Sequence, residues 1–121
     1  MNILLVDDSR AMRLILRRML RDAGYGEHDI VEADDGVKAL QAIKAHTPDV
    51  VMSDWIVANM NGIDLLEALN EEGIVTNFGF VTTESTVEMR KRAADAGAKF
   101  MISKPFTGES LQSALQPVLH A

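Results

Sequence analysis

Five times along this chain a short, almost wholly apolar run is followed by a longer stretch whose apolar residues recur every three or four positions. Few folds accommodate that alternation. Residues 2–6, 29–33, 49–53, 77–82 and 98–103 read as strands, and residues 9–23, 36–46, 62–72, 84–96 and 108–121 read as helices. Met12, Ile15, Leu16, Met19 and Leu20 in the first helix, and Leu111, Ala114, Leu115, Val118 and Leu119 in the last, follow the i, i+3, i+4, i+7, i+8 spacing of one buried helical stripe. Gly24, Gly73 and Gly97 fall just past three of the helices, where a positive φ closes a helix end, and Pro48 follows the second. Pro117 lies inside the last helical pattern, where it removes a hydrogen bond and is expected to kink the helix or end it early. Strands that are apolar on both faces and separated by helices form a parallel sheet covered on both sides, so the expected class is α/β.

No linker, repeat or low-complexity segment interrupts this pattern, and 121 residues are enough for one core, so residues 1–121 are expected to be a single domain. Hydrophobic residues at 47% against charged residues at 25% are a globular balance. With no cysteine, disulfides, thiolate metal sites and a cysteine nucleophile are excluded. The net charge of −6 argues against direct nucleic-acid binding, which needs a basic surface. The first six residues have no basic lead-in, and no run approaches the length of a membrane span. A cytoplasmic protein without membrane insertion is expected.

Open parallel sheets bind ligands beyond the carboxyl ends of their strands, where the strand order reverses. The residues expected at that edge are Asp7 and Asp8 after the first strand, Asp54 after the third, Thr82 closing the fourth and Lys104 after the fifth. Singly, each has a plainer role. Asp7, Asp8 and Ser9 suit a helix N-terminus, Asp54 a loop, Thr82 a strand, and Lys104 a solvated turn before Pro105. Their joint placement at one edge is what those roles leave unexplained. Carboxylates packed together repel, and a hard cation such as Mg²⁺ keeps them ionised, while the lysine supplies charge suited to phosphoryl oxygens.

Leu5-Val6-Asp7-Asp8-Ser9, Glu32-Ala33-Asp34-Asp35-Gly36, Ser53-Asp54-Trp55, Asn59-Met60-Asn61-Gly62, Val81-Thr82-Thr83-Glu84 and Lys104-Pro105-Phe106 together resemble the two-component response regulator receiver domains, most closely the single-domain chemotaxis type. The resemblance runs the length of the chain. It implies a flavodoxin-like (βα)5 three-layer sandwich whose five-stranded parallel sheet has the order 2-1-3-4-5. It implies that Asp54 is the phosphoacceptor, taking its phosphoryl group from a histidine kinase, a phosphotransfer protein or a small acyl phosphate. Mg²⁺ is then held by Asp8 and Asp54, by Asp7 largely through water, and by the backbone carbonyl of Ile56. Lys104 and the backbone N–H groups of Trp55 and Thr83 complete the phosphoryl cradle. Thr82 and position 101 carry the switch to a surface formed by the fourth helix, fifth strand and fifth helix, which meets a downstream protein such as a flagellar motor switch component. By the same resemblance the Lys104–Pro105 bond is expected in cis. No output domain accompanies the receiver pattern, so action by docking is expected, with a self-phosphorylating acceptor favoured over a turnover enzyme.

Three departures from the family pattern carry consequences. Met101 stands where an aromatic is usual, so the switch is expected to couple more softly. With strand alternation, Ala98, Phe100 and Ile102 are expected on one face and Lys99, Met101 and Ser103 on the other, so Phe100 does not replace the missing ring. The loop Trp55-Ile56-Val57-Ala58 lacks the φ restraint of a proline, and Ile56 cannot orient an attacking water as a polar side chain would, which leaves Glu84 as the alternative for that role. His28, His46 and His120 fall away from the acidic edge and read as surface residues; Met12, Met19 and Met60 read as core fillers. Two other classes of function fit less of the pattern: an interaction module indifferent to phosphorylation, and a Mg²⁺-dependent phosphohydrolase, for which no separate acid or substrate lid is evident. A phosphate-sink receiver outside chemotaxis is a further alternative.

Overall fold

The computed structural model describes residues 2–83, 86–104 and 106–119. Strands β1 (Asn2–Val6), β2 (Asp29–Ala33), β3 (Val50–Ser53), β4 (Asn77–Thr82) and β5 (Phe100–Ser103) alternate with helices α1 (Arg10–Leu20), α2 (Gly36–His46), α3 (Gly62–Glu71), α4 (Val87–Asp95) and α5 (Gly108–Leu119). The five strands form one sheet in the order β2-β1-β3-β4-β5, with every neighbouring pair parallel. That is the expected flavodoxin-like (βα)5 order. Central β3 is buried along its length, whereas edge strands β2 and β5 are only partly covered.

Two cores flank the sheet. One packs Leu4, Val6, Val51, Phe78 and Phe80 against α2, α3 and α4; the other packs Ile3, Leu5, Val50, Met52, Val81 and Ile102 against α1 and α5. Alternate residues of a strand therefore serve opposite cores, which is why the strands read as continuous apolar runs. Met12 and Met19 pack against the α1/α5 core and Met60 against the other, as fillers. Gly24, Gly73 and Gly97 all have positive φ and end their helices as expected. Among the described residues no helix is long and apolar enough to cross a membrane.

The ends of elements differ from the sequence expectation where side chains compete for backbone bonds. The first helix begins at Arg10 because Ser9 is its N-cap, its hydroxyl accepting from the Met12 N–H at 3.2 Å. Regular α-helix gives way at Leu20 to a π-helical turn, Arg21–Tyr25, that runs into the left-handed Gly24. The fourth helix starts at Val87, capped by the Thr86 hydroxyl. Strand β5 starts at Phe100, two residues later than expected, because the Ala98 N–H donates to the Ala93 carbonyl at the end of α4. Ala98 is thereby excluded from the strand's alternation. It packs with Met101 on the α2–α4 side, and the expectation that it shares a face with Phe100 is corrected. Pro117 does not end α5, which runs on to Leu119. The acceptor it leaves unpaired belongs to exposed Ser113, whose carbonyl water can satisfy. Glu84, the Lys104–Pro105 bond and His120 lie outside the described residues.

Candidate functional site

Three of the residues singled out above are set at the rim of the sheet by the last rung of a strand ladder. The Asp7 N–H donates to the Ala33 carbonyl at 3.2 Å, the Asp54 N–H to Val6 at 2.9 Å, and the Lys104 N–H to Thr82 at 2.8 Å. Each residue thus continues its strand by one position and then leaves the sheet. Their side chains meet over the carboxyl edge: the Lys104 ammonium lies 3.2 Å from Asp7 Oδ2 and 3.1 Å from Asp54 Oδ2. All three are largely withdrawn from water, with side-chain exposures of 10%, 5% and 18%. Burial by itself lowers the Lys104 pKa, but the hydrogen bonds and charges of Asp54 and then Asp7 outweigh it and hold the ammonium above its ordinary 10.5.

The remaining carboxylate oxygens are also engaged. Asp54 Oδ1 accepts from the Trp55 N–H at 2.7 Å, so one of the N–H groups expected in the cradle faces the Asp54 carboxylate. Asp7 Oδ1 accepts from the Ser9 N–H at 2.9 Å. Thr82 is buried at the end of β4, beside Ser103 in the ladder, whereas Thr83 is exposed just beyond it. Asp8 is exposed, and among the described residues no group of three or more His, Asp or Glu side chains is gathered closely enough to hold a metal ion. Two of the three expected acids, Asp7 and Asp54, share one ammonium, and Asp8, next in the chain after Asp7, is exposed. This arrangement still fits Mg²⁺. That ion typically takes one or two carboxylates, retains several waters and accepts a phosphate oxygen, so it does not need a closed protein cage.

Supports for Asp54 were not legible as such in the sequence. The Ser53 hydroxyl donates to the Asp54 carbonyl at 2.8 Å, and the Gly62 N–H donates to the Trp55 carbonyl at 2.8 Å. A Cβ on Gly62 would collide with the Asp54 carbonyl oxygen and come within 2.9 Å of the Phe80 ring, so only glycine permits this approach. The Trp55 ring stacks at a tilt on Phe80 with centroids 4.9 Å apart, which ties the loop after Asp54 to the α2–α4 core.

The loop without proline is held by other contacts. Val57 is buried, Ala58 bridges to Asp35, and the Ala58 carbonyl accepts from the Gly36 N–H at 3.0 Å. Asp35 caps α2 through the Lys38 N–H and accepts from the Asn59 amide at 3.1 Å; these bonds, the Lys38 one foremost, hold its carboxyl below its ordinary value. Ile56 is 68% exposed.

Met101 lies opposite Phe80 in the β4–β5 ladder and packs on the α2–α4 side. Phe100 faces the other core, its ring filling the space left by Gly79, where any Cβ would overlap it. The aromatic on β5 and Met101, at the expected switch position, are thus on opposite faces of the sheet. His46 is exposed and His28 packs against the Tyr25 ring, both remote from the acidic edge.

The family profile described as "Response regulator receiver domain" matches residues 3–116. The chain is 38% identical over 120 residues to chemotaxis protein CheY-3 of Vibrio cholerae serotype O1, covering 98% of this chain and 91% of that protein. It is 35% identical over 120 residues to chemotaxis protein CheY of Pseudomonas aeruginosa, covering 98% and 95%. Among solved structures, CheY4 of Vibrio cholerae superposes with a TM-score of 0.85 at 32% identity, covering 98% of each chain.

Proposed function

The chain belongs to the response regulator receiver domain family and is CheY-like, and from that membership we propose that it is a Mg²⁺-dependent phosphoacceptor switch working on Asp54. The observation that carries this reading is the Lys104 ammonium spanning Asp7 and Asp54 at the carboxyl edge of the sheet.

A lone pair of the Asp54 carboxylate attacks phosphorus. A new P–O bond forms as the bond to the donor breaks, P–N in a phosphohistidine or P–O in an acyl phosphate, and the electron pair leaves with the imidazole or the carboxylate. Little covalent chemistry is asked of the protein, which acts by positioning and charge. Lys104 offsets charge on the phosphoryl oxygens, and the Trp55 and Thr83 N–H groups donate to them. The carboxylates of Asp8 and Asp54 and the Ile56 carbonyl would hold Mg²⁺ directly and Asp7 through water; when bound, the ion neutralises the transferring oxygens.

After transfer, the Thr82 hydroxyl bonds the phosphoryl group and draws its loop inward, and Met101 follows into the space beside Phe80. With three rotatable bonds and no ring, Met101 couples this movement more softly than an aromatic would. Such a switch shifts a population between two states, and phosphorylation biases it only through contacts that differ between them. The phosphoryl group stays on the protein's own side chain until water removes it, so the protein is an acceptor and not a turnover enzyme. We assign its place to the cytoplasm, between a histidine kinase or phosphotransfer protein and a downstream target of the flagellar motor-switch kind, without contact to nucleic acid.

Mass spectrometry after incubation with acetyl phosphate tests the reading. A single adduct mapped to Asp54, appearing with Mg²⁺ and lost with a chelator, is the expected result; no adduct, or one elsewhere, rejects it. The lifetime of that adduct is expected to depend on Ile56. Being exposed, this side chain can be replaced without disturbing the core, and Ile56→Asn provides a group able to orient the attacking water. Decay after removal of the donor should become several-fold faster. Equal or slower decay would transfer the water-positioning role to another residue.

A further inference from the structure

Asp8 makes the most demanding contribution in the proposed site and receives the least direct support. The residue is exposed, and the two peptides that flank it are both held. The peptide after it is held by the Ser9 N–H donating to Asp7 Oδ1 at 2.9 Å. The peptide before it is held from α1: Arg13 Nη1 donates to the Asp7 carbonyl at 2.6 Å. A peptide unit is planar, so fixing the direction of the Asp7 carbonyl also fixes the Asp8 N–H and the axis about which Asp8 turns.

Arg13 is itself aimed. Its Nε donates to Glu32 Oε1 at 2.7 Å, and its side chain is only 13% exposed. Glu32, on β2, is shared with Arg17, whose Nε donates to Oε2 at 2.5 Å. Burial raises the Glu32 pKa, but the bonds and charges of Arg17 and Arg13 outweigh it, and the carboxyl sits below its ordinary 4.5. The anchor therefore stays ionised throughout the neutral range. The two arginines differ in one respect. Arg17 spends its other contact on the Ile30 carbonyl, at 2.9 Å and near the start of β2, away from the Asp7–Asp8 turn.

We propose that Arg13 is a positioning residue for the acceptor site: clamped by Glu32, it holds the Asp7–Asp8 peptide and thereby pre-aims the Asp8 carboxylate toward the cation that accompanies phosphoryl transfer. The inference rests on the reading of Asp8 as a Mg²⁺ ligand. Neutral donors and charges one layer behind the ligands commonly set metal affinity, and their loss typically lowers it about 10–100-fold. Lysine cannot substitute fully, since one ammonium lacks the planar fork that serves a carboxylate and a carbonyl at once.

The experiment compares Arg13→Ala, Arg13→Lys and Arg17→Ala with wild type, following Mg²⁺ titration by Trp55 fluorescence, thermal unfolding, and the amide NMR signals of Asp8 and Ser9 in metal-free protein. Arg17→Ala removes the other arginine that holds Glu32 and serves as the control for a purely structural role. The expected result is that Arg13→Ala weakens Mg²⁺ binding about tenfold or more and shifts the Asp8 and Ser9 amides. Arg13→Lys falls between, and Arg17→Ala loses stability while keeping wild-type affinity. Should Arg13→Ala fail to fold, the Lys variant against Arg17→Ala carries the comparison. Equal Mg²⁺ affinity in the Arg13 and Arg17 variants, with wild type binding normally, overturns the positioning role and leaves the site reading intact. A wild type that binds no Mg²⁺ overturns both.

Discussion

Asp54→Asn is expected to take up no phosphoryl group under conditions in which wild type is quantitatively modified, the largest effect any single change at this edge should produce. An amide oxygen is a poor nucleophile and cannot form the acyl phosphate, and neither neighbouring acid can substitute. Asp7 is 3% exposed, with Oδ1 held by the Ser9 N–H and Oδ2 by Lys104, so an incoming donor does not reach it. Asp8 is exposed, and among the described residues the Lys104 ammonium pairs with Asp7 and Asp54. The asparagine can still accept from the Trp55 N–H, so the variant should fold, and circular dichroism checks that it does. A residual adduct on Asp7 or Asp8 would show that the edge, and not Asp54, selects the acceptor.

Lys104→Met should both impair transfer and change how the fold depends on metal. Removing one partner of a buried pair leaves uncompensated charge, commonly costing about 3–5 kcal/mol; the lower end is expected here because Asp54 is 18% exposed and can be hydrated. Since the folded pKa of Lys104 lies above its ordinary 10.5, the stability it contributes is fully present below that value and lost as pH rises through the folded value. Wild type should therefore lose stability in this alkaline window, and the variant should lack that part of the loss. Without the neighbouring ammonium, Mg²⁺ binds more tightly and its stabilisation of the fold grows. Thermal unfolding with and without Mg²⁺ should thus show a larger metal-dependent rise in the variant. The rate of phosphoryl uptake should fall by about 10²–10³-fold, as when one charge-stabilising donor is removed. Unchanged stability in metal-free buffer, or a smaller Mg²⁺ response than wild type, would show that Lys104 is not the counter-ion of this edge.

Much of this was available from the linear sequence because the controlling signals are local. Apolar period and positive-φ glycines depend on neighbours a few residues apart, and they located all five strands and five helices. A parallel sheet also turns local position into spatial meaning. The residue following each strand must come to the same edge, so Asp7, Asp54, Thr82 and Lys104 could be assigned to one place although they are spread across most of the chain.

Tertiary structure alone decided what happens between elements. That Asp7 and Asp54 share an ammonium depends on which way two loops turn after their strands, and no period encodes that direction. Ala98 fits a strand pattern, yet its N–H has a nearer acceptor at the end of α4. The Gly79–Phe100 exchange of volume is visible only once β4 and β5 are in register, because either residue alone reads as an ordinary strand position. The same holds for Arg13. In sequence it is one of several arginines on a charged helix face, and its role appears only when α1 is laid beside β2, bringing Glu32 and the Asp7 carbonyl within reach of one guanidinium. Hydrophobic patterning is degenerate toward such pairings: it specifies which face is buried, while the partner of each polar group is chosen by packing geometry after the faces have met.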